Sequence, residues 1–148
     1  MPSFDVHDAL PADAAAVVDH GLGEFNDAAA PLDLVTPLAA FARDGDTLIG
    51  GAVGRTWGTG CELQQLWVHP AWRRRGIARA IVQRFEARAL LRGCTTFYLY
   101  TFSFQARPFY EAQGYRVAHT LAGYPDGIEQ YLMVKAARPA PVLRDPAG

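Results

Sequence analysis

The spacing of apolar residues predicts a strand, a helix and a second strand in the middle of the chain. After Gly76, apolar residues recur every three or four positions, which predicts a helix that ends at Gly93, where glycine can adopt positive φ. Residues 95–101 are β-branched and aromatic throughout, as is typical of a central strand. Since a connection of this size joins parallel strands, we expect residues 62–69 and 95–101 to form a parallel pair.

Alternating patterns elsewhere predict antiparallel strands. The turn Asp44-Gly45-Asp46 separates two apolar segments and is a strong hairpin signal. Further along, Tyr124-Pro125-Asp126-Gly127 separates the last two such segments. The predicted pairs are 38–43 with 47–56, the latter with 62–69, and 117–121 with 128–135.

The N-terminal segment is less regular. Residues 4–7 are compatible with a short edge strand, and Pro11 favours the first turn of a helix that Gly21 and Gly23 would end or loosen. Residues 24–37 fit a loop or a short second helix. Later in the chain, Pro108 belongs in the first turn of a helix that we expect to begin near Gln105.

Length and composition favour one domain. The chain has 148 residues, of which 50% are hydrophobic, enough for one core and too few for two ordinary domains. We predict a single domain over residues 1–135 and a proline-rich, frayed tail over 136–148. A net charge of -1 offers no global attraction for nucleic acid or for an anionic membrane, so neither is an expected partner.

The patterns of cysteine, histidine and hydropathy narrow the possible class of protein further. Cys61 and Cys94 are too few for a disulfide framework and are interpreted as small buried hydrophobes. The four histidines share no metal-ligand spacing, so we expect no metal. No segment approaches the ~18 apolar residues of a spanning helix, and the N-terminus lacks a signal-peptide pattern. These features predict a soluble, cytoplasmic protein.

The junction between the predicted strand 62–69 and the following helix indicates an anion site. Arg73, Arg74 and Arg75 precede Gly76 at the start of the helix, where free backbone N–H groups and the positive end of the helix dipole attract phosphate. Gly76 and Ala78 have little or no side chain, so a ligand oxygen can reach the main chain. A diphosphate fits such a site.

Two motifs resemble the GNAT acetyltransferase superfamily. Arg73-x-x-Gly76-x-Ala78 is similar to its Q/R-x-x-G-x-G/A acetyl-CoA loop, and Phe109-Tyr110-Glu111-Ala112-Gln113-Gly114-Tyr115 resembles its F-Y-E-x-x-G-F/Y ending. The resemblance covers roughly residues 36–135. It implies an α+β fold with a mixed, mostly antiparallel sheet, splayed between two parallel central strands and flanked by helices. It also implies an acetyl-CoA-dependent N-acetyltransferase, an acyltransferase that moves the acetyl group directly to a primary amine in a ternary complex.

The resemblance implies a set of cofactor contacts. The strand before the loop would bind the pantetheine arm through its main chain, with a bulge near Trp67 and Val68 that polarises the thioester carbonyl. Ser103 stands where many relatives have an asparagine that contacts pantetheine. The residues expected to bind acetyl-CoA are Leu66, Trp67, Val68, Arg73, Arg74, Arg75, Gly76, Ile77, Ala78, Arg79 and Ser103.

Tyr110 and Glu62 are the catalytic candidates. Tyr110 matches the family tyrosine that protonates the departing thiolate, although a plain core aromatic is the alternative. Glu62 matches a glutamate that acts as base in the histone acetyltransferase branch, whereas Gln64 cannot accept a proton. In a regular strand, residues 62, 64, 66 and 68 share one face. Alternatively, Glu62 is a solvated carboxylate without a catalytic role, and water or the acceptor itself takes the proton.

The sequence leaves the acceptor open. A small-molecule amine and a protein amine both fit. The expected substrate-binding residues are Asn26, Gln64 and Tyr124. The family resemblance also allows a homodimer. Transfer of another acyl group and a non-catalytic acyl-CoA sensor or protein-interaction module remain alternatives. A nucleic-acid binder that uses the arginines is disfavoured by the neutral charge.

Overall fold

The computed structural model describes residues 1–137 and divides the chain into two compact units, Met1–Leu34 and Val35–Gly148. In the first unit, α1 spans Ala12–Ala29 and a 3-10 turn spans Leu32–Leu34. Residues 4–7 form no strand, so the predicted edge strand is wrong. α1 also continues through Gly21 and Gly23, because a glycine costs a helix about 1 kcal/mol relative to alanine without breaking a hydrogen bond.

The second unit begins with an antiparallel meander. β1 is Thr36–Asp44, β2 is Thr47–Trp57 and β3 is Gly60–Val68, as the hairpin signals predict. The turn glycines support this, with φ of 58° at Gly45 and 57° at Gly58.

The remaining elements complete one six-stranded sheet. α2 spans Ile77–Leu91, β4 spans Thr96–Phe102, α3 spans Arg107–Ala112, β5 spans Arg116–Leu121 and β6 spans Gln130–Ala136. The strand order is β1-β2-β3-β4-β6-β5, and β3 with β4 is the parallel pair. The predicted fold class is confirmed. Ala136 still belongs to β6, and residues 138–148 of the predicted tail lie outside the described residues.

α2 covers one face of the sheet and supplies much of the core. Its inward residues Ile81, Val82, Phe85 and Ala89 are at most 2% exposed, and they pack with buried residues of β3, β4 and β6. Gly93, just beyond the helix, has a φ of 91° and ends it as predicted. Cys61 and Cys94 are free and buried in this core, as expected, and burial raises the pKa of the Cys61 thiol to about 12.

β3 and β4 separate after three paired residues. Their pairing runs only from Gly60 opposite Thr96 to Glu62 opposite Tyr98, although both strands continue beyond it. β3 stays paired with β2 on its outer side, and β4 stays paired with β6. The inner edges of both strands therefore border an open, wedge-shaped gap, as the family resemblance implies.

Candidate active site

The basic turn, residues 73–76, lies directly before the first turn of α2. Arg74 has a φ of 61° and Gly76 a φ of 76°, so two left-handed residues bend the chain immediately before the helix begins. Such turns direct successive backbone N–H groups toward one point, and the helix adds the positive end of its dipole. Apart from its chain neighbours, no atom of residues 1–137 would lie within 4 Å of a Cβ at Gly76, so on this side the turn meets none of the described residues.

The arginines of the basic turn differ in their surroundings. Arg73 donates from Nε to the Val68 carbonyl at 2.9 Å and so ties the turn to the end of β3. The guanidinium of Arg75 lies 5.0 Å from the ring centre of Trp72. Arg74 lines both the cleft and a smaller cavity, and Arg79 lines the smaller one. Arg74 and Arg79 are therefore the arginines best placed to meet a ligand in these cavities.

A cleft of about 900 Å³ occupies the gap between the separated strands. Leu66, Trp67, Val68 and Ala78 line it together with Arg73 and Arg74. A cavity of about 310 Å³ includes Gly76, Ile77, Ala78 and Arg79 in its lining. These cavities bring together most of the residues predicted to bind the cofactor. The cleft is also lined by residues for which the sequence analysis had no assignment, namely Gln65, Tyr100, Thr101, Gln105, Ala106 and Phe109.

Tyr110 is buried in the core but lines the cleft. The residue is 9% exposed, and its ring packs edge-on against Phe109 and Tyr115 at 5.3 and 6.0 Å between centres. Within residues 1–137 its hydroxyl has no hydrogen-bond partner. Burial raises the pKa of this hydroxyl, so it keeps its proton at neutral pH. The arrangement leaves a protonated donor free for a ligand.

A bulge in β3 overturns the predicted strand geometry. Gln65 pairs with Val53 but Leu63 pairs with Gly54, so Gln64 is the extra residue, and the irregularity lies there rather than near Trp67 and Val68. A Cβ at Gly54 would lie 1.9 Å from the Glu62 carbonyl oxygen, which explains why glycine occupies this position.

The bulge also changes which side chains share a face. Gly50 and Gly54 face Ile81 and Phe85 of α2, and residues directly opposite across an antiparallel pair share a face. Their partners Val68 and Leu63 therefore face α2, as does Leu66 by alternation. Glu62 lies on the other face with Gln65 and Trp67, so the expectation that residues 62, 64, 66 and 68 share one face is wrong.

Glu62 sits at the point where β3 and β4 separate. Its side chain is 15% exposed, so it is not a solvated strand-end carboxylate. Its Oε2 accepts from the Tyr98 hydroxyl at 3.0 Å and from Arg55 Nη2 at 3.2 Å. Burial, and the hydrogen bond to Glu62, raise the pKa of Tyr98, which therefore remains a donor. Glu62 is not among the residues that line the cleft.

The remaining predicted residues are spread over the chain. Gln64 lines the cleft, whereas Ser103 is absent from its lining and its hydroxyl accepts from the Glu129 N–H at 3.0 Å. Asn26 lies in α1, in the first unit, where its carbonyl accepts from the Ala30 N–H. Tyr124 donates to Gln130 at 3.5 Å, and its ring is edge-on to Phe102.

Residues 11–115 match the profile of the acetyltransferase (GNAT) family. The chain belongs to the acetyltransferase (GNAT) family. Membership confirms the predicted enzyme class, an acyltransferase, and the predicted activity, acetyl-CoA-dependent transfer of an acetyl group to an amine.

Individual relatives agree with this assignment. A blasticidin-S acetyltransferase from Streptomyces morookaense is 36% identical over 108 residues, which cover 72% of this chain and 78% of that protein. The crystal structure of an acetyltransferase from Agrobacterium tumefaciens has a TM-score of 0.76 at 27% identity, over 92% of this chain and all of that one. An aminoglycoside 6'-N-acetyltransferase complexed with coenzyme A has a TM-score of 0.63 at 25% identity, over 71% and 75% of the two chains.

Across residues 1–137, no helix combines the length and apolar character needed to cross a membrane. In the same residues, no three histidine, cysteine, aspartate or glutamate side chains converge as metal ligands would.

Proposed function

We propose that acetyl-CoA binds in the cleft between β3 and β4, with its diphosphate at the basic turn, and that the acetyl group passes directly to a primary amine. The observation that carries this proposal is the continuity of the site. The α2 N-terminus and Arg74 lie at one part of the cleft, and the free Tyr110 hydroxyl lies along the same cleft. A single extended ligand could therefore place its diphosphate at the basic turn and its thiol beside Tyr110.

The inner edge of β3 suits an extended ligand. Residues 63–68 are paired with β2 on one side only, so backbone groups on the other side face the cleft. The pantetheine arm carries amide groups and can pair with such an edge in the manner of an added strand. Leu66, Trp67 and Val68 would contact it through their main chain, and a backbone N–H of this edge would stabilise the developing oxyanion.

The transfer itself needs little further chemistry. The neutral amine attacks the thioester carbonyl, the C–N bond forms, and the C–S bond breaks as the thiolate leaves. Tyr110 would donate its proton to that sulfur and regain one from solvent. The extra proton on the attacking nitrogen must pass to a base for the neutral amide to form. Holding the amine against a polarised thioester supplies a large part of the acceleration.

Glu62 is the proposed base, acting through a water because its side chain does not line the cleft, and its test is the pH dependence of Glu62→Gln. We expect kcat/KM on a working amine to fall most near neutral pH and to recover in part toward the pKa of the amine, where free amine becomes abundant. The amide retains an acceptor for Tyr98 and Arg55, so the strand junction should stay folded. Steady-state rates from pH 6 to 10 would measure this.

The matched control is Tyr98→Phe, which removes a hydrogen bond to Glu62 while leaving the carboxylate. If Glu62 takes the proton, this variant should keep the wild-type shape of the pH profile. A Glu62→Gln profile indistinguishable from wild type would assign proton removal to water or to the acceptor, and Glu62 to holding the junction of β3 and β4.

We propose further that the acceptor carries a planar ring. Trp67 and Tyr100 line the cleft and are 49% and 55% exposed. At the end of β4 an aromatic cluster, formed by Phe102, Phe104 and Tyr124, continues this surface, with the Phe102 and Phe104 rings parallel within 8° at 5.4 Å. Phe104 is 67% exposed. Stacking on such rings contributes about 0.5–1.5 kcal/mol per pair beyond burial.

An acceptor panel tests this proposal. The panel would include blasticidin S, chosen because the Streptomyces morookaense relative is named for it, and an aminoglycoside. It would also include a matched pair, phenethylamine and its saturated analogue cyclohexylethylamine. Thiol release from acetyl-CoA would measure the rate with each acceptor. We expect the aromatic amine to exceed its saturated partner about tenfold in kcat/KM, and Phe104→Ala to remove much of that preference. Equal values would contradict a ring-binding site. Coenzyme binding without thiol release for any acceptor would favour a non-catalytic sensor.

A further inference from the structure

The side chain of Gln105 is held at one end only. Its Oε1 accepts from the Phe102 N–H at 2.8 Å and from the Thr101 hydroxyl at 3.2 Å. A backbone N–H can only donate, so the atom that faces Phe102 must be the carbonyl oxygen of the amide. The orientation of Gln105 therefore follows from its partners.

The other end of the amide is left with two unused donors. Nε2 makes no hydrogen bond to any residue between 1 and 137, although Gln105 lines the cleft together with Tyr110. The nearby Ser103 hydroxyl is already engaged by the Glu129 N–H. Gln105 is exposed and lines the cleft, and of these two polar side chains it is the one whose donors have no partner among residues 1–137.

The position of Gln105 favours a contact with the cofactor over a contact with the acceptor. Its partner Thr101 is 3% exposed and alternates with Phe97 and Leu99, which pack in the core with Tyr110. The aromatic residues Tyr100 and Phe102 lie on the opposite face of β4. Gln105 is thus anchored to the face that carries Tyr110, where the cofactor sulfur is proposed to lie.

We infer that Gln105 is a positioning residue that donates from Nε2 to an amide carbonyl of the pantetheine arm. This inference rests on the proposed function, since it takes acetyl-CoA as the occupant of the cleft. The contact would act on the arm alone, because the nucleotide part of the cofactor is proposed to bind at the basic turn. Gln105 would then fill the role that the family resemblance implied for Ser103.

The test is Gln105→Glu, which keeps an oxygen for Phe102 and Thr101 and replaces both donors with a second oxygen. Calorimetric titration would compare CoA with adenosine 3',5'-diphosphate, which lacks the pantetheine arm. We expect the Kd for CoA to rise about tenfold, the effect of one hydrogen bond lost against a ligand carbonyl. The Kd for the nucleotide should stay within about twofold of wild type. Gln130→Glu, the same change at a residue that lines neither cavity and that keeps an acceptor for Tyr124, is the matched control and should alter neither Kd.

A second variant keeps the inference testable if the new carboxylate disturbs the loop. Thr101→Val removes one of the two donors that hold Oε1, so the amide becomes less fixed and the Kd for CoA should rise about twofold to threefold with unchanged nucleotide binding. Equal CoA affinities of wild type and Gln105→Glu would overturn the role assigned to Gln105 and leave the proposed function standing. A parallel loss of CoA and nucleotide binding would overturn it as well, because the effect would then be one of charge or loop structure. A wild-type protein that binds no CoA would overturn the proposed function together with this inference.

Discussion

Replacing Tyr110 with phenylalanine is expected to lower kcat about 100-fold while leaving the Kd for acetyl-CoA nearly unchanged. The ring would still pack against Phe109 and Tyr115, so the core keeps its shape. Only the hydroxyl that lines the cleft is lost. The departing thiolate would then have to take its proton from water.

The measurement pairs steady-state kinetics with calorimetric titration of acetyl-CoA. Tyr115→Phe is the matched control, because Tyr115 is also buried, is also a tyrosine with a raised pKa, and is not part of the cleft lining. Its kcat should stay within about twofold of wild type. Equal turnover by Tyr110→Phe and wild type would assign Tyr110 to the core, as the alternative interpretation of the sequence holds.

The direction of the Tyr110 pKa adds a pH expectation. A raised pKa means that the hydroxyl stays protonated through and above the usual titration range of tyrosine. Loss of activity through deprotonation of this acid should therefore begin only in strongly alkaline solution. A wild-type enzyme whose rate falls between pH 7 and 9 would be limited by another group.

Local signals explain why much of the fold could be predicted. The hairpin turn at Gly45, the helix end at Gly93 and the position of Pro108 depend on φ and on hydrogen bonds within a few residues. The parallel pairing of β3 and β4 follows from the length of the connection between them. The sequence motifs of the basic turn and of α3 then indicated where a cofactor would bind.

The details that could not be predicted depend on partners distant in sequence. The bulge at Gln64 arises from the register between β2 and β3 and from the close approach of Gly54 to Glu62, so no periodicity within β3 reveals it. Gln105 likewise becomes informative only when its bonds to Thr101 and Phe102 are known. The path of α1 through Gly21 is a balance of small propensities that a pattern cannot decide.

Replacing Gly76 with valine is expected to weaken CoA binding about 100-fold or more, the second large effect. Gly76 has a φ of 76°, which a β-branched residue adopts only at a cost of about 1–2 kcal/mol. Its Cβ direction leads into open space within the region proposed for the diphosphate. The valine would therefore both disfavour the turn and occupy the approach of the ligand to the backbone N–H groups.

Two further variants separate these causes. Gly76→Ala shares the unfavourable φ but adds one carbon, so we expect a loss of about tenfold, and Arg74→Ala should cost about 1 kcal/mol, as an exposed charged contact does. Because no atom of the described residues, chain neighbours aside, lies within 4 Å of the added Cβ, we expect no clash from the new side chains in the free protein. Thermal unfolding would then report only the φ strain. Titration with CoA would then rank the three variants. If Gly76→Val bound CoA as tightly as wild type, the main chain of the basic turn could not be the diphosphate site, and the arginine side chains would have to supply the recognition instead.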